Sequence, residues 1–209
     1  HKLMQEIVES DHVQIYATNT ALTPQGPDLG GPFQSVLSKP EVAVLSGDGT
    51  SAYGVGEIWH LVNYRMKIPI SLLDANNLNQ GKLSKYNTLI LADGSYSKLD
   101  SIDVNSLKDW IANGGTLISV QSASSWVVED SLTDEHLLEN NEIDFDIPYD
   151  QIRNVSGAQR IGGAIFNVEL DNTHPVAYGY DKTHPIFRRG TAFFKLSDAP
   201  AANVGRYTS

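Results

Sequence analysis

Short apolar runs alternate with amphipathic stretches from residue 41 to residue 126, regularly enough to be read as elements. Glu41-Val42-Ala43-Val44-Leu45, Pro69-Ile70-Ser71-Leu72-Leu73, Asn87-Thr88-Leu89-Ile90-Leu91 and Thr116-Leu117-Ile118-Ser119-Val120 are brief, apolar and largely β-branched, which predicts buried strands. Between them the period changes. Ile58, Leu61, Val62 and Tyr64 or Arg65 recur at helical spacing over 55–66. Leu107, Trp110 and Ile111 do the same ahead of Gly114-Gly115, with Lys108 and Asp109 left for the wet side. The glycine pair predicts a helix stop, because glycine takes the left-handed C-cap conformation without strain. Strands alternating with helices predict an α/β fold, a parallel sheet with helices on both faces. Right-handed crossovers place the 70–73 strand beside the 42–45 strand, a flavodoxin-like order.

Outside this region the pattern loosens. Residues 1–10 suit a short helix with Leu3, Ile7 and Val8 on one side. Residues 11–40 are polar and broken by Pro27, Gly30, Gly31, Pro32 and Pro40. We therefore read 1–40 as an extended connector from an upstream domain, in which Leu29, Phe33 and Val36 call for cover, and 41–209 as the α/β domain. Residues 129–150 carry Glu129, Asp130, Asp134, Glu135, Glu139, Glu142, Asp144, Asp146 and Asp150 without any Lys or Arg, which predicts a solvated acidic insertion or lid. Residues 164–170 alternate apolar and polar, as a half-wet strand does, and 193–196 and 203–207 read as late strands.

At 209 residues the chain suits one domain with appendages. With 25 acidic against 15 basic residues, its surface argues against a nucleic-acid backbone or an anionic membrane as partner. No stretch approaches the roughly 20 apolar residues that span a bilayer. Cysteine is absent, which excludes disulfides, thiolate metal sites and a cysteine nucleophile in this chain. The chain starts at His1 and stops at Ser209 without an evident ending, so we expect it to be part of a longer protein.

Several stretches carry chemistry in outline. Gly47-Asp48-Gly49-Thr50-Ser51-Ala52-Tyr53-Gly54-Val55-Gly56 follows a strand and precedes a helix, as phosphate-binding loops do. Alanine stands at 52 where the dinucleotide fingerprint has glycine, and no Gly-Lys-Ser/Thr follows. Glu57 and His60 are spaced to meet on one helix face, yet a helical zinc motif needs a second histidine. Asp144, Asp146 and Asp150 lack the turn glycine and terminal glutamate of a calcium loop. Ser122 and Ser124 follow the 116–120 strand, where a serine nucleophile would sit, but neither has the flanking glycines of G-x-S-x-G. His174 and His184 each precede proline, which favours a cap or turn; His174 is the histidine a serine hydrolase would draw on. Polar groups at strand ends, Asp48, Asp74, Asp93 and Gln121 together with Trp126, are suited to a binding crevice for a small molecule or glycan.

The runs Lys39-Pro40-Glu-Val-Ala-Val-Leu-Ser-Gly47, Gly56-Glu57-Ile58-Trp59-His60, Tyr86-Asn87-Thr88-Leu89-Ile90-Leu91-Ala92-Asp93-Gly94, Leu107-Lys-Asp-Trp110 with Gly114-Gly115-Thr116-Leu117-Ile118, and Asp171-x-Thr173-His174-Pro175-x-Ala177-x-Gly179-Tyr180 have a collinear likeness. Together, over roughly 26–180, they resemble the class I glutamine amidotransferase-like domain found C-terminal to the catalytic domain in large bacterial zinc carboxypeptidases. That resemblance implies a flavodoxin-like fold, a secreted or periplasmic parent, and zinc held by an upstream peptidase domain rather than in this segment, which takes no cofactor of its own. The upstream domain and a peptide or small-molecule ligand are the implied partners, with no nucleic acid and no membrane insertion. The departures are specific. Glutamine amidotransferases carry a nucleophilic cysteine after the strand equivalent to 116–120, and this chain has none. The carboxypeptidase H-x-x-E motif fails too, since Asn63 stands three residues after His60. The resemblance thus implies a non-catalytic accessory domain. A serine/histidine hydrolase using Ser122 or Ser124 with His174, and a ligand-binding module, remain the alternatives.

Overall fold

The computed structural model describes the chain apart from His1, Phe33, Ser35, Asn79, residues 139–145, Gln159 and Ser209. The chain divides into two units, His1–Lys39 and Pro40–Ser209. In the first, helix α1 (Lys2–Asp11) buries no side chain. The segment after it holds no helix or strand among its described residues, and Leu29 and Val36, expected to be covered, are exposed. A local turn there is closed by Asp28, whose carboxylate accepts from the Thr23 amide at 2.9 Å.

The second unit begins with β1 (Val42–Ser46) and contains β2 (Ile70–Asp74), β3 (Thr88–Leu91) and β4 (Thr116–Ser119), paired in parallel in the order β2-β1-β3-β4. This is the flavodoxin-like winding that the strand–helix alternation predicts, with the 70–73 strand beside the 42–45 strand. Alternate β1 residues face opposite sides of the sheet. Ala43 and Leu45 join a core with Leu73, Leu89 and Leu91, completed by Leu83, Leu107, Trp110 and Trp126. Val42 and Val44 join a second core with Val55, Val62 and Ile90. Two cores on opposite faces mean that helices cover both faces of the sheet.

The helices follow from identifiable local causes. Helix α2 (Ala52–Trp59) starts at Ser51, whose hydroxyl accepts from the Gly54 amide, three residues earlier than the apolar spacing suggests. It continues as a π-helical turn, His60–Arg65, in which the Met66 amide reaches back five residues to the Leu61 carbonyl. Leu61 and Tyr64 face solvent in this wider turn, so of the face expected there only Val62 is buried, with Val55 buried earlier in the helix. A short helix, α3 (Gln80–Leu83), leads to β3. Helix α4 (Ser101–Ala112) is capped by Asp100, which accepts from the Ile102 and Asp103 amides at 2.8 and 2.9 Å. It buries Val104, Leu107 and Trp110. The two glycines after it have different work. Gly114 has φ +97°, the left-handed stop; Gly115 lies under the Trp110 indole, where a Cβ would come within 2.4 Å of the ring.

Three expectations about the strands are corrected. The 116–120 run reads as buried, but β4 is the edge of the four-stranded sheet, and Ile118 is 43% exposed. Beyond helix α5 (Ser122–Glu129) and helix α6 (Tyr149–Ala158) the chain adds an antiparallel sheet. It consists of β5 (Ile161–Leu170), β6 (Thr183–Gly190) and β7 (Gly205–Tyr207), in the order β6-β5-β7. His184-Pro185, expected to be a turn, lies inside β6. Proline is tolerated there because β6 is an edge strand with no further neighbour to receive an amide. Residues 193–196 form no strand, only an isolated bridge from Phe194 to Leu137. In the acidic 129–150 segment, Glu139, Glu142 and Asp144 lie outside the described residues.

Candidate functional site

The loops at the carboxyl ends of β1 and β3 are clasped together by backbone. The Ser51 amide donates to the Asp93 carbonyl at 2.7 Å, and the Ser95 amide to the Gly49 carbonyl at 2.8 Å. A Cβ at Gly49 would meet the Ser95 oxygen at 2.3 Å, and one at Gly94 the Gly49 oxygen at 2.6 Å. The glycine-rich 47–56 loop therefore owes Gly49 to this close approach, and the Gly49 carbonyl and Ser51 amide are already engaged. It is a clasp between loops in a place where a phosphate cradle was conceivable from sequence.

The turn from β4 into α5 is strained at one residue. Gln121 has φ 57° and ψ −123°, left-handed backbone for a residue with a side chain, and it directly precedes the first turn of α5. A sharp strand-to-helix turn of this kind is how α/β hydrolases present a nucleophile. The side chain so presented here is a carboxamide, which cannot attack a carbonyl carbon as a hydroxyl or thiol does. The two serines lie beyond it, inside the helix. Ser122 Oγ donates to Asp93 Oδ1 at 2.5 Å, with the Gly94 carbonyl 2.8 Å away, and accepts from the Gly94 amide at 2.9 Å. Ser124 Oγ shares a hydrogen bond with Ser119 Oγ at 3.0 Å. Both hydroxyls are occupied in holding α5 against the strand ends.

The residues singled out from sequence are only partly brought together. Asp93, Gln121, Ser122 and Ser124 line one recess of about 490 Å3, facing Arg160, Arg188, Arg189 and Phe194. Among the described residues no histidine lines it. His174 instead caps the short 3-10 turn Pro175–Ala177, its Nδ1 accepting from the Val176 amide at 3.2 Å. Asp171 completes that turn: its carboxylate accepts from the Thr173 hydroxyl and amide, which hold its pKa below the usual carboxylate range, with His174 adding to this. Asp48 is exposed and pairs with Lys98 at 3.2 Å. Asp74 caps the turn after β2, accepting from the Asn76 amide at 2.9 Å. Trp126 is a core residue, its ring 5.2 Å from that of Tyr96. His60 stacks on Tyr64 at 5.1 Å.

Sequence reading missed the opposite wall. Arg160 immediately precedes β5, and Arg188 and Arg189 stand near the end of β6, an element that the His184-Pro185 step concealed. The only local signal was the Arg188-Arg189 pair in an otherwise acidic chain. In the core beside Trp126, Tyr96 donates to the Ala92 carbonyl at 2.7 Å. Burial, with Asp93 adding to it, pushes the phenol far above its ordinary pKa. Among the described residues no group of three or more His, Asp or Glu could hold a metal ion, and no helix is long and apolar enough to cross a membrane.

No protein-family model and no curated protein matches the sequence. Several solved structures resemble it. One is described as a GMP synthase protein from Thermoplasma acidophilum: TM-score 0.48, 10% identity, 78% of this chain and 71% of that one. A ThuA-like protein from Bacteroides uniformis gives 0.49 and 14%, over 78% of this chain and 64% of that one. A glutamine amidotransferase from Thermotoga maritima gives 0.47 and 11%, over 77% and 64%. The chain thus spans less than two thirds of the length of the last two, and likenesses this distant assign it no activity.

Proposed function

We propose that this chain is a non-catalytic accessory domain, amidotransferase-like in fold, which positions a small ligand or substrate segment at the strand-end recess for a zinc carboxypeptidase-type domain upstream in the same protein. The observation that carries the reading is the identity of the residue at the strained turn. Gln121 occupies the place from which such folds present a nucleophile, and its amide has none of the reactivity required. The neighbouring hydroxyls support it, since each is engaged in holding the helix and has no imidazole to activate it. A recess lined by polar and charged groups supports a binding role. In this reading the parent protein is bacterial and secreted or periplasmic, its zinc bound by the upstream domain.

The test is a turnover screen of the 209-residue chain against glutamine, peptides with free carboxyl termini and activated esters. The expected outcome is no hydrolysis above the uncatalysed rate. Hydrolysis that Ser122→Ala or Ser124→Ala abolishes would overturn the non-catalytic reading in favour of a serine hydrolase. The parent context is checked separately, by reading the coding sequence upstream of His1 for a zinc peptidase motif.

A further inference from the structure

Three of the six arginines of this acidic chain line the strand-end recess. Gathering like charges around one cavity is unfavourable unless an opposite charge answers them. Among the described residues none of the three forms an ion pair. The contrast with another recess, about 560 Å3 beside β5 and β7, is direct. There Lys182 and Arg206 both pair with Glu169, at 3.2 and 2.8 Å, and the site neutralises itself. Among the described residues one carboxylate lines the strand-end recess, Asp93; it accepts from the Ser122 hydroxyl and forms no ion pair with the three arginines.

Arg188 is also held in place. Its guanidinium lies 3.7 Å from the Phe193 ring centroid, Nη1 donates to the Tyr207 hydroxyl at 3.4 Å, and Nη2 donates to the Ala192 carbonyl. Its Nε is buried without a hydrogen-bond partner, a donor whose desolvation is uncompensated. Across the recess stands the exposed Gln121 amide. A held guanidinium, two exposed ones and a neutral amide donor therefore converge on one cavity of a size suited to a small molecule.

We propose that this recess binds a small organic anion through its carboxylate or phosphate oxygens, with Arg188 as the fixed anchor, Arg160 and Arg189 closing from the rim, and Gln121 donating from the opposite wall. The proposal rests on reading the recess as the ligand site of a non-catalytic domain. Planar guanidinium forks match both kinds of oxyanion, so the two sources share one chemistry.

The test is isothermal titration calorimetry of the 209-residue chain at low ionic strength with citrate and with inorganic phosphate, glycerol serving as the neutral blank. One saturable site per chain is expected for at least one anion and none for glycerol; the tighter of the two anions identifies the oxyanion. Arg160→Gln/Arg189→Gln, at two exposed positions, should weaken binding tenfold or more with an unchanged melting curve. Arg65→Gln/Lys85→Gln removes the same charge elsewhere and should leave affinity within twofold. Arg188→Lys keeps the charge but loses the fork, and should weaken binding at least fivefold. Absence of saturable binding, or equal weakening by the two double variants, would overturn the proposal. If anion binding fails while the chain hydrolyses nothing, the non-catalytic reading stands without it. Hydrolysis removed by Ser122→Ala sinks that reading whether or not anions bind.

Discussion

Ser122 Oγ stands 2.5 Å from Asp93 Oδ1, and the Ser122 amide points at the same oxygen from 3.3 Å. One carboxylate oxygen thus holds both polar groups of the first residue of α5, fastening that helix to the loop after β3. The contact is structural, and removing it should be felt in stability. Ser122→Ala is expected to cost about 1–2 kcal/mol, as loss of a partly exposed charge-assisted hydrogen bond does. Urea unfolding reads this directly; an unchanged midpoint would mean that the pair is incidental.

Gly114 and Gly115 separate conformational from steric need in adjacent residues. Gly115→Ala forces a methyl group into the Trp110 indole and should cost about 2–3 kcal/mol, since the ring is fixed in the core and its Nε1 donates to the Tyr86 carbonyl at 3.1 Å. Gly114→Ala meets nothing, so only its left-handed backbone is penalised, by about 1 kcal/mol. Thermal melts of the two variants should fall in that order.

At Gln121 the same reasoning runs in reverse. Gln121→Gly removes the strain of a positive φ and should stabilise the fold by about 1 kcal/mol, the relief being partly offset by unfolded-chain entropy. Gln121→Val, β-branched at the same φ, should destabilise it. If Gln121→Gly raises the melting temperature and weakens anion binding together, strain has been retained for function.

Tyr96 sets an alkaline limit. Its folded pKa is raised, so the protein favours the neutral phenol. That stabilisation is complete below the unfolded value of about 10 and is lost as pH climbs above it. Tyr96→Phe should therefore flatten the alkaline limb of a stability–pH curve, while costing about 1 kcal/mol at pH 7 for the lost bond to the Ala92 carbonyl. An alkaline limb unchanged by the substitution would assign it to other groups.

Glu169 acts at the other end of the scale. Arg206 first, and then Lys182, hold its pKa below the usual range, so its contribution is present above the unfolded value of about 4.3 and fades as pH falls through the folded one. Glu169→Gln should weaken the joining of β7 to β5 at neutral pH and remove part of the acid dependence. Hydrogen exchange of the 205–207 amides is the measurement.

The parallel sheet was legible because its strands are short, apolar and separated by helices of sufficient length; the 70–73 and 42–45 pairing followed from handedness alone. The antiparallel sheet was not. Thr183-His184-Pro185 looks like a turn to any reading of local propensity, and only its edge position lets the proline stand in β6. With β6 hidden, Arg188 and Arg189 had no address, and half of the recess was invisible. Asp93 and Gln121 were legible because they stand at strand ends, where they line the recess; Trp126, singled out with them, lies one helical turn further on and in the core. The serines drew notice as nucleophiles by residue type. Backbone geometry, which sequence does not display, puts the strained turn at Gln121 instead.

The π-helical turn at His60–Arg65 has a consequence for how such chains are aligned and altered. A turn closed over five residues fits one more residue into the same axial span than an α-helical turn would, so it behaves as an insertion carried inside a helix rather than in a loop. Leu61 and Tyr64 are apolar at α-helical intervals and yet face water. Deleting one residue there would return the downstream side chains to α-helical phase, swinging Val62 away from Val44 and Ile90. Periodicity counts residues, whereas packing counts degrees, and at this turn the two disagree.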